Sequence, residues 1–74
     1  MKKIVLLNDD VNSFEGVIES LVKVCNHNRF QAEQCALLVH STGRCDIKTG
    51  EEEDVKRTTL ELKKRGLRVR IVSA

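Results

Sequence analysis

The apolar positions at the start of the chain predict a strand followed by a helix. The predicted strand covers residues 3–7, where Lys3 leads into a continuous apolar run rich in aliphatic and β-branched side chains, which is typical of a buried strand. After a short polar stretch, apolar residues recur at helical spacing over residues 14–25, with acidic and basic residues on the other side. Asn12 or Ser13 is the expected helix cap.

A second helix is predicted directly after the first. The polar pair His27-Asn28 interrupts the pattern, and His27 is expected to be solvated in the loop. Asn28 with Gln31 three residues later forms a capping box that predicts a new helix start. Gly43 stands where a left-handed helix end is expected. Two helices joined by so few residues predict an antiparallel hairpin.

The following segment predicts a third helix. Thr49 and Glu52 have the spacing of a second capping box. Acidic residues occupy 51–54 and basic residues occupy 63–65, which is the charge order that suits a helix dipole. Gly66 is the expected end of this helix.

Two further strands complete the predicted fold. Residues 44–48 carry a weak strand signal, and residues 67–71 alternate strictly between apolar and basic side chains. The order is therefore β-α-α-β-α-β. It predicts an α+β sandwich in which a three-stranded antiparallel sheet packs three helices on one face. We expect residues 1–74 to form one domain.

Composition adds few constraints. The 74 residues include 13 basic and 11 acidic residues, a net charge of +2, which is too balanced to indicate a nucleic-acid-binding protein by itself. The cysteines Cys25, Cys35 and Cys45 include no CxxC pair, so no metal site is predicted. We expect their side chains to be buried in the protein and to stay reduced, as in a reducing cellular compartment. No segment has the length of a membrane span or a signal peptide, and a cytoplasmic monomer is expected.

Polar chemistry concentrates in two places. Asn8, Asp9 and Asp10 follow the first strand, where such residues most often form a turn or a helix cap. Two adjacent carboxylates also suit a visiting cation, since an ammonium group donates three hydrogen bonds. His40 lies on the second helix and is either a structural residue or a further acceptor for the same cation.

Catalysis has little support in this sequence. Neither a Ser/His/Asp arrangement nor a Cys/His arrangement has a recognisable context, and no Gly-rich phosphate loop is present. We therefore expect a binding protein that needs no cofactor and is not an enzyme. The basic residues near the end of the chain lack aromatic neighbours for base stacking, so a solvated basic face is favoured over a nucleic-acid site.

Two segments resemble the ClpS adaptors of the Clp protease. They are IVLLNDD at 4–10 and ALLVHSTGR at 36–44, and the match is good over about residues 3–44 and looser beyond. The resemblance implies an adaptor that binds N-degrons, meaning destabilising N-terminal residues, and delivers such proteins to the Clp unfoldase.

The resemblance also implies roles for individual residues. The α-amino group of the bound protein would contact Asn8, Asp9 and His40, with Asp10 beside them. Its side chain would enter an apolar pocket at positions matching Asn12, Phe14, Ala36, Val39 and Val69. The N-terminal domain of the unfoldase would dock on Glu51, Glu52, Glu53 and Lys56.

Three departures from the family pattern leave alternatives open. Only seven residues precede Asn8, where the family usually has a longer extension that assists delivery, so a non-delivering regulator of the unfoldase is the first alternative. Ala36 replaces the usual pocket methionine, which predicts a wider pocket and relaxed selectivity. Asn12 and Ser13 replace a common Thr-Pro pair at the pocket rim. A ribosome-associated or nucleic-acid-binding module is the second alternative.

Overall fold

The computed structural model describes all 74 residues, which form three strands and three helices. In chain order these are β1 (Lys2–Leu7), α1 (Phe14–Cys25), α2 (Arg29–Thr42), β2 (Arg44–Gly50), α3 (Glu52–Lys64) and β3 (Val69–Ser73). The predicted β-α-α-β-α-β order is confirmed. None of the helices has both the length and the apolar character that a membrane crossing requires.

Strand β1 is the centre of the sheet. The strand order is β2-β1-β3, and both neighbours run antiparallel to β1. Leu6 therefore lies opposite Cys45 on one side and Val69 on the other. Because β1 forms backbone hydrogen bonds along both edges, the point where it ends is fixed within the fold.

The helices pack against one face of this sheet, as predicted. Ile4 and Leu6 point to the same side of β1, and both are almost completely buried together with Ile18 of α1 and Leu62 of α3. Burying a large aliphatic side chain stabilises a protein by about 1.5–3 kcal/mol. This shared core therefore holds the three helices on the sheet.

The predicted α1–α2 hairpin is also confirmed. Asn26 ends α1 in the left-handed conformation, with φ of 57°. Asn28 and Gln31 form the reciprocal hydrogen bonds of the capping box. Gly43 ends α2 with φ of 93°, a region that favours glycine over residues with a side chain.

The capping box predicted at the start of α3 was wrong. The N-terminal cap of α3 is Glu51, and its side chain makes no capping hydrogen bond. Thr49 cannot take that role because β2 continues to Gly50, with Thr49 paired to Lys3 of β1. The acidic first turn of α3 interacts favourably with the helix dipole instead.

Strand β3 begins two residues later than predicted. The backbone N–H of Leu67 donates to the carbonyl of Leu62 at 3.1 Å, so Leu67 still belongs to the turn that closes α3. The strand proper begins at Val69. Residue 67 is nevertheless only 5% exposed, because its side chain packs into the core.

Gly16 has a local explanation that the sequence did not provide. The hydroxyl of Ser13, the cap of α1, accepts a hydrogen bond from the Gly16 N–H at 3.0 Å. A Cβ atom at position 16 would lie 3.0 Å from that same oxygen. Glycine therefore allows the cap to form without crowding.

The prediction that His27 is solvated was wrong. Its ring is partly buried, and Nε2 lies 2.8 Å from the carbonyl oxygen of Ile47 in β2. A carbonyl only accepts, so Nε2 donates this hydrogen bond, while Nδ1 is buried without a hydrogen-bond partner. The interhelical loop thus packs on β2 instead of extending into solvent.

The three cysteines pack against the core from α1, α2 and β2. Cys35 is buried, Cys25 and Cys45 are partly buried, and all three are free thiols. Burial raises the pKa of Cys25, and burial followed by the neighbouring Cys45 thiol raises the pKa of Cys35. Raised pKa values keep these two side chains in the neutral thiol form, which suits an apolar environment.

Candidate functional site

A cavity opens where β1 ends against α1, α2 and the turn between α3 and β3. Its volume is about 510 Å³, within the range typical of pockets for small ligands. Twelve residues line it, namely Leu6, Leu7, Asn8, Asp9, Asp10, Asn12, Phe14, Val17, Ala36, Val39, His40 and Leu67.

The cavity has an apolar interior and a polar rim. Leu6, Ala36, Val39 and Leu67 are each no more than 6% exposed and form the interior. Phe14 is 45% exposed and stands at the opening. The polar groups belong to the residues after β1 and to α2, so one edge of the opening is acidic and hydrogen-bonding while the interior is hydrophobic.

Backbone hydrogen bonds fix the polar edge to the sheet. The N–H of Leu7 donates to the carbonyl of Arg68 at 2.9 Å, and the N–H of Asn8 donates to the carbonyl of Gly43 at 3.1 Å. These bonds hold the end of β1 between the start of β3 and the end of α2. The side chain of Asn8 consequently starts from a fixed backbone position.

The carboxylate of Asp9 organises the turn that follows. Its Oδ1 accepts hydrogen bonds from the backbone N–H groups of Val11 at 2.8 Å and Asn12 at 2.9 Å. The side-chain amide of Asn12 donates to both carboxylate oxygens, at 3.3 Å and 3.1 Å. Donation from the Asn12 backbone, then from Val11 and the Asn12 amide, lowers the pKa of Asp9 against the opposing effect of partial burial.

Asn12 connects this turn to another part of the fold. Its side-chain nitrogen also donates to the carbonyl of Gly66, at 2.7 Å, across 54 residues of sequence. Gly66 lies in the turn between α3 and β3, with φ of 82°. The amide of Asn12 thereby links the two loops that border the cavity.

The site contains hydrogen-bond acceptors that are not used by other groups of the protein. Oδ2 of Asp9 accepts only the Asn12 amide, so it can accept again. The side chains of Asn8, Asp10 and His40 are exposed and have no hydrogen-bond partner within the protein. Such a set of acceptors beside an apolar cavity is suited to a ligand that carries an ammonium group next to a hydrophobic side chain.

The structure brings together eight of the nine residues that the sequence placed at this site. The exception is Val69, which pairs with Leu6 in the sheet and packs against the core without lining the cavity. Leu67, two residues earlier, occupies the corresponding place. Leu6, Leu7 and Val17 also line the cavity, and only their position in apolar runs could have indicated this.

The residues predicted to dock a partner lie elsewhere. Glu51, Glu52 and Glu53 are exposed at the start of α3, where with Asp54 they line a second, shallow concavity of about 350 Å³. Lys56 is exposed and forms an ion pair with Glu52 at 3.3 Å. This acidic surface shares no residue with the larger cavity.

Comparison with known proteins identifies relatives of the chain. Residues 1–70 match a family model described as ATP-dependent Clp protease adaptor protein ClpS. Two relatives from Campylobacter jejuni, of strains 81-176 and RM1221, are named ATP-dependent Clp protease adapter protein ClpS. Each is 42% identical over 53 residues, covering 69% of this chain and 55% of the relative. The chain therefore spans about half the length of these curated relatives.

A solved structure shares the fold. It is that of Agrobacterium tumefaciens ClpS2 bound to L-phenylalaninamide. The TM-score is 0.84 at 23% sequence identity, and the alignment covers 99% of this chain and 95% of that one. The similarity extends over all three strands and all three helices.

The contacts of Asn12 lead to a testable difference in stability. We expect Asn12→Ala to lower the free energy of unfolding by about 1–3 kcal/mol, because the Gly66 carbonyl and Asp9 lose hydrogen bonds. Asn8→Ala is the matched control and should change stability by less than about 0.5 kcal/mol, since its side chain is exposed and forms no hydrogen bond within the protein. Urea denaturation of both variants measures this difference, and equal losses would contradict the role assigned to Asn12.

Proposed function

Because the chain belongs to the ClpS family of Clp protease adaptors, we propose that it binds proteins by a free, bulky N-terminal residue and passes them to a Clp unfoldase. The observation that carries the proposal is the meeting of Asn8, Asp9 and His40 at the rim of one apolar cavity. The chain acts by binding, as one adaptor domain over residues 1–74, and catalyses no reaction of its own.

The polar rim suits an α-amino group. That group has a pKa of about 7.7–8.0 in model peptides, so it is mostly protonated at neutral pH. Asn8 offers an amide oxygen, Asp9 offers Oδ2, and His40 offers a ring nitrogen in its neutral form. Asp10 adds a second negative charge nearby. Two or three hydrogen bonds to a charged group contribute roughly 1.5–3 kcal/mol each.

The apolar interior suits the first side chain of the bound protein. Burying one large apolar side chain contributes about 1.5–3 kcal/mol. Together with the amine contacts this gives a gross interaction of roughly 5–12 kcal/mol, from which the cost of association must be subtracted. We therefore expect weak to micromolar affinity. The Agrobacterium ClpS2 structure supports this proposal, because L-phenylalaninamide combines a free amine with a phenyl side chain.

We place the contact with the unfoldase on the acidic start of α3. Glu51, Glu52, Glu53 and Lys56 are exposed there, away from the cavity. In this arrangement the chain binds the N-terminal domain of the unfoldase as a monomer while the cavity stays open to the substrate.

Blocking the amine should abolish binding. A peptide that begins with phenylalanine is expected to bind with micromolar affinity, and its N-acetylated form should lose at least tenfold, because acetylation removes the charge and two donors. His40→Ala should weaken binding of the free peptide. Ser41→Ala is the control and should leave that affinity unchanged, since the Ser41 hydroxyl donates only to carbonyls of its own helix. Fluorescence anisotropy measures the affinity of the unchanged chain and of each variant for both peptides. Full affinity of the acetylated peptide would refute the amine-binding site.

The width of the cavity should determine which side chains enter. Ala36 stands where the family usually has methionine and is 4% exposed in the cavity wall. We expect the chain to accept N-terminal valine and isoleucine alongside phenylalanine and leucine, and Ala36→Met to exclude the β-branched pair by filling the interior. Leu37→Met, on the exposed side of α2, is the control. Peptides that differ only at residue one provide the measurement, and exclusion of valine and isoleucine by the unchanged chain would contradict it.

Delivery is tested separately from binding. In a reconstituted Clp protease assay, we expect the chain to accelerate degradation of a substrate with N-terminal phenylalanine and to leave its acetylated form unaffected. Charge reversal at Glu52 and Glu53 should reduce this acceleration without changing peptide affinity, because those residues lie outside the cavity. Uniform slowing of all substrates would instead identify a non-delivering regulator.

A further inference from the structure

The sheet has a second face, turned away from the helices, where the distribution of charge is uneven. Strand register places Arg44 opposite Leu7, and places Asp46 and Arg70 on either side of Val5. Directly opposed residues of an antiparallel sheet point to the same side. Val5 alternates along β1 with the two residues that enter the core, so the side chains of Val5, Asp46 and Arg70 belong to the face without helices. Arg44 precedes Asp46 by two residues in β2 and lies on the same side.

Arg68 and Lys3 extend this surface. Arg68 lies directly before β3, and its carbonyl accepts the N–H of Leu7. It is exposed between two residues that pack in or against the core, Leu67 and Val69, so we place its side chain on the same side as that of Arg70. Lys3 precedes Val5 by two residues in the same way. We call this surface the open face, and its charged residues are Lys3, Arg44, Asp46, Arg68 and Arg70.

Three guanidinium groups on the open face form no ion pair with a carboxylate. The one acidic residue, Asp46, is paired with Lys3 at 3.0 Å. Arg44, Arg68 and Arg70 are exposed and take part in none of the seven ion pairs of the protein. Ten of the eleven acidic residues lie off this face. The open face is therefore complementary to an acidic partner.

Two of these arginines border the proposed amine site. Arg44 and Arg68 are the strand neighbours of Leu7, and Asn8 is the next residue. Adjacent strands are about 4.8 Å apart, so the backbones of the two arginines lie within roughly 10 Å of each other, on both sides of the strand end. The positive charge of Arg68 also lowers the pKa of Asp9, although it contributes less than the hydrogen bonds of the turn.

The chain of a bound substrate would pass charged groups as it extends away from the amine site. An extended chain advances about 3.3 Å per residue, so its third to sixth residues lie roughly 7–17 Å from the bound amine. With the amine held by the proposed site, the second residue would lie close to Asp9 and Asp10, where a further carboxylate would be repelled. The residues that follow could then reach Arg44 and Arg68, whose backbones flank Leu7, one residue before Asn8.

We propose that Arg44 and Arg68 make this chain select substrates with acidic side chains from the third residue onward. The inference rests on the proposed function, because the amine site fixes where the substrate begins. Nucleic acid fits the open face less well than an acidic peptide, since none of its residues is aromatic and no base could stack there.

Two peptides test this selection. Phe-Gly-Glu-Glu-Glu and Phe-Gly-Gln-Gln-Gln, both amidated at the C-terminus so that no terminal carboxylate remains, share the first two residues and differ only in the three side-chain charges that follow. At low ionic strength we expect the acidic peptide to bind about three- to tenfold more tightly, and the preference to approach one in 1 M salt, where the Debye length is about 3 Å. Titration by fluorescence anisotropy gives both affinities.

Charge-matched variants assign the effect to the open face. R44Q/R68Q should bind both peptides equally and keep wild-type affinity for the neutral one. The control K23Q/R57Q removes the same net charge from the exposed sides of α1 and α3 and should keep the preference.

The outcomes separate this inference from the proposed function. If the unchanged chain binds the two peptides equally, the proposed selection for acidic residues is wrong, but the proposed function is unaffected. The same conclusion follows if both double variants lose the preference for the acidic peptide to the same extent. Failure of both peptides to bind would refute the proposed function and this inference with it. Tighter binding of single-stranded polyuridine RNA, dependent on Arg44 and Arg68, would assign the open face to nucleic acid and overturn the proposal.

Discussion

The hydrogen bonds received by the Asp9 carboxylate are the interaction on which the rest of the site depends. Two backbone N–H groups and the Asn12 amide converge on that one side chain, and the same amide donates to Gly66. The turn after β1, the start of α1 and the turn before β3 are thereby tied together. A binding site built this way is ordered before its ligand arrives, which reduces the entropy that must be lost on association.

The same contacts explain how two adjacent carboxylates coexist at the end of a strand. Donors of the turn compensate the charge of Asp9 and lower its pKa, while Asp10 is exposed to water. Oδ1 of Asp9 therefore stabilises the turn, and Oδ2 can still accept a hydrogen bond from a cation. The turn-forming interpretation thus applies to Oδ1, and Oδ2 is the atom to which our proposal assigns the contact with an amine.

Sequence predicted those parts of the structure that local signals determine. The hairpin of α1 and α2 was predicted because Asn28, Gln31 and Gly43 specify their own conformations. Errors arose where pairing with β1 decides the outcome. Thr49 stays in β2 because Lys3 lies opposite it, and no property of residues near Thr49 reveals that partner. Leu67 replaces Val69 in the cavity for a similar reason, since the closing hydrogen bond of α3 sets where β3 begins.

The cavity imposes a cost on so small a domain, and the contacts at its rim offset part of it. A chain of 74 residues buries a limited apolar area, and about 510 Å³ of accessible space beside the core leaves apolar walls without packing partners. On α2, Cys35 fills the core while its neighbour Ala36 leaves the space open. The backbone N–H of Asn8 donates to Gly43 and the side-chain amide of Asn12 donates to Gly66, which ties two residues of the cavity rim to the loops that follow α2 and α3. Polar contacts therefore hold the residues around the opening, while the small side chain of Ala36 leaves space in the interior for a ligand.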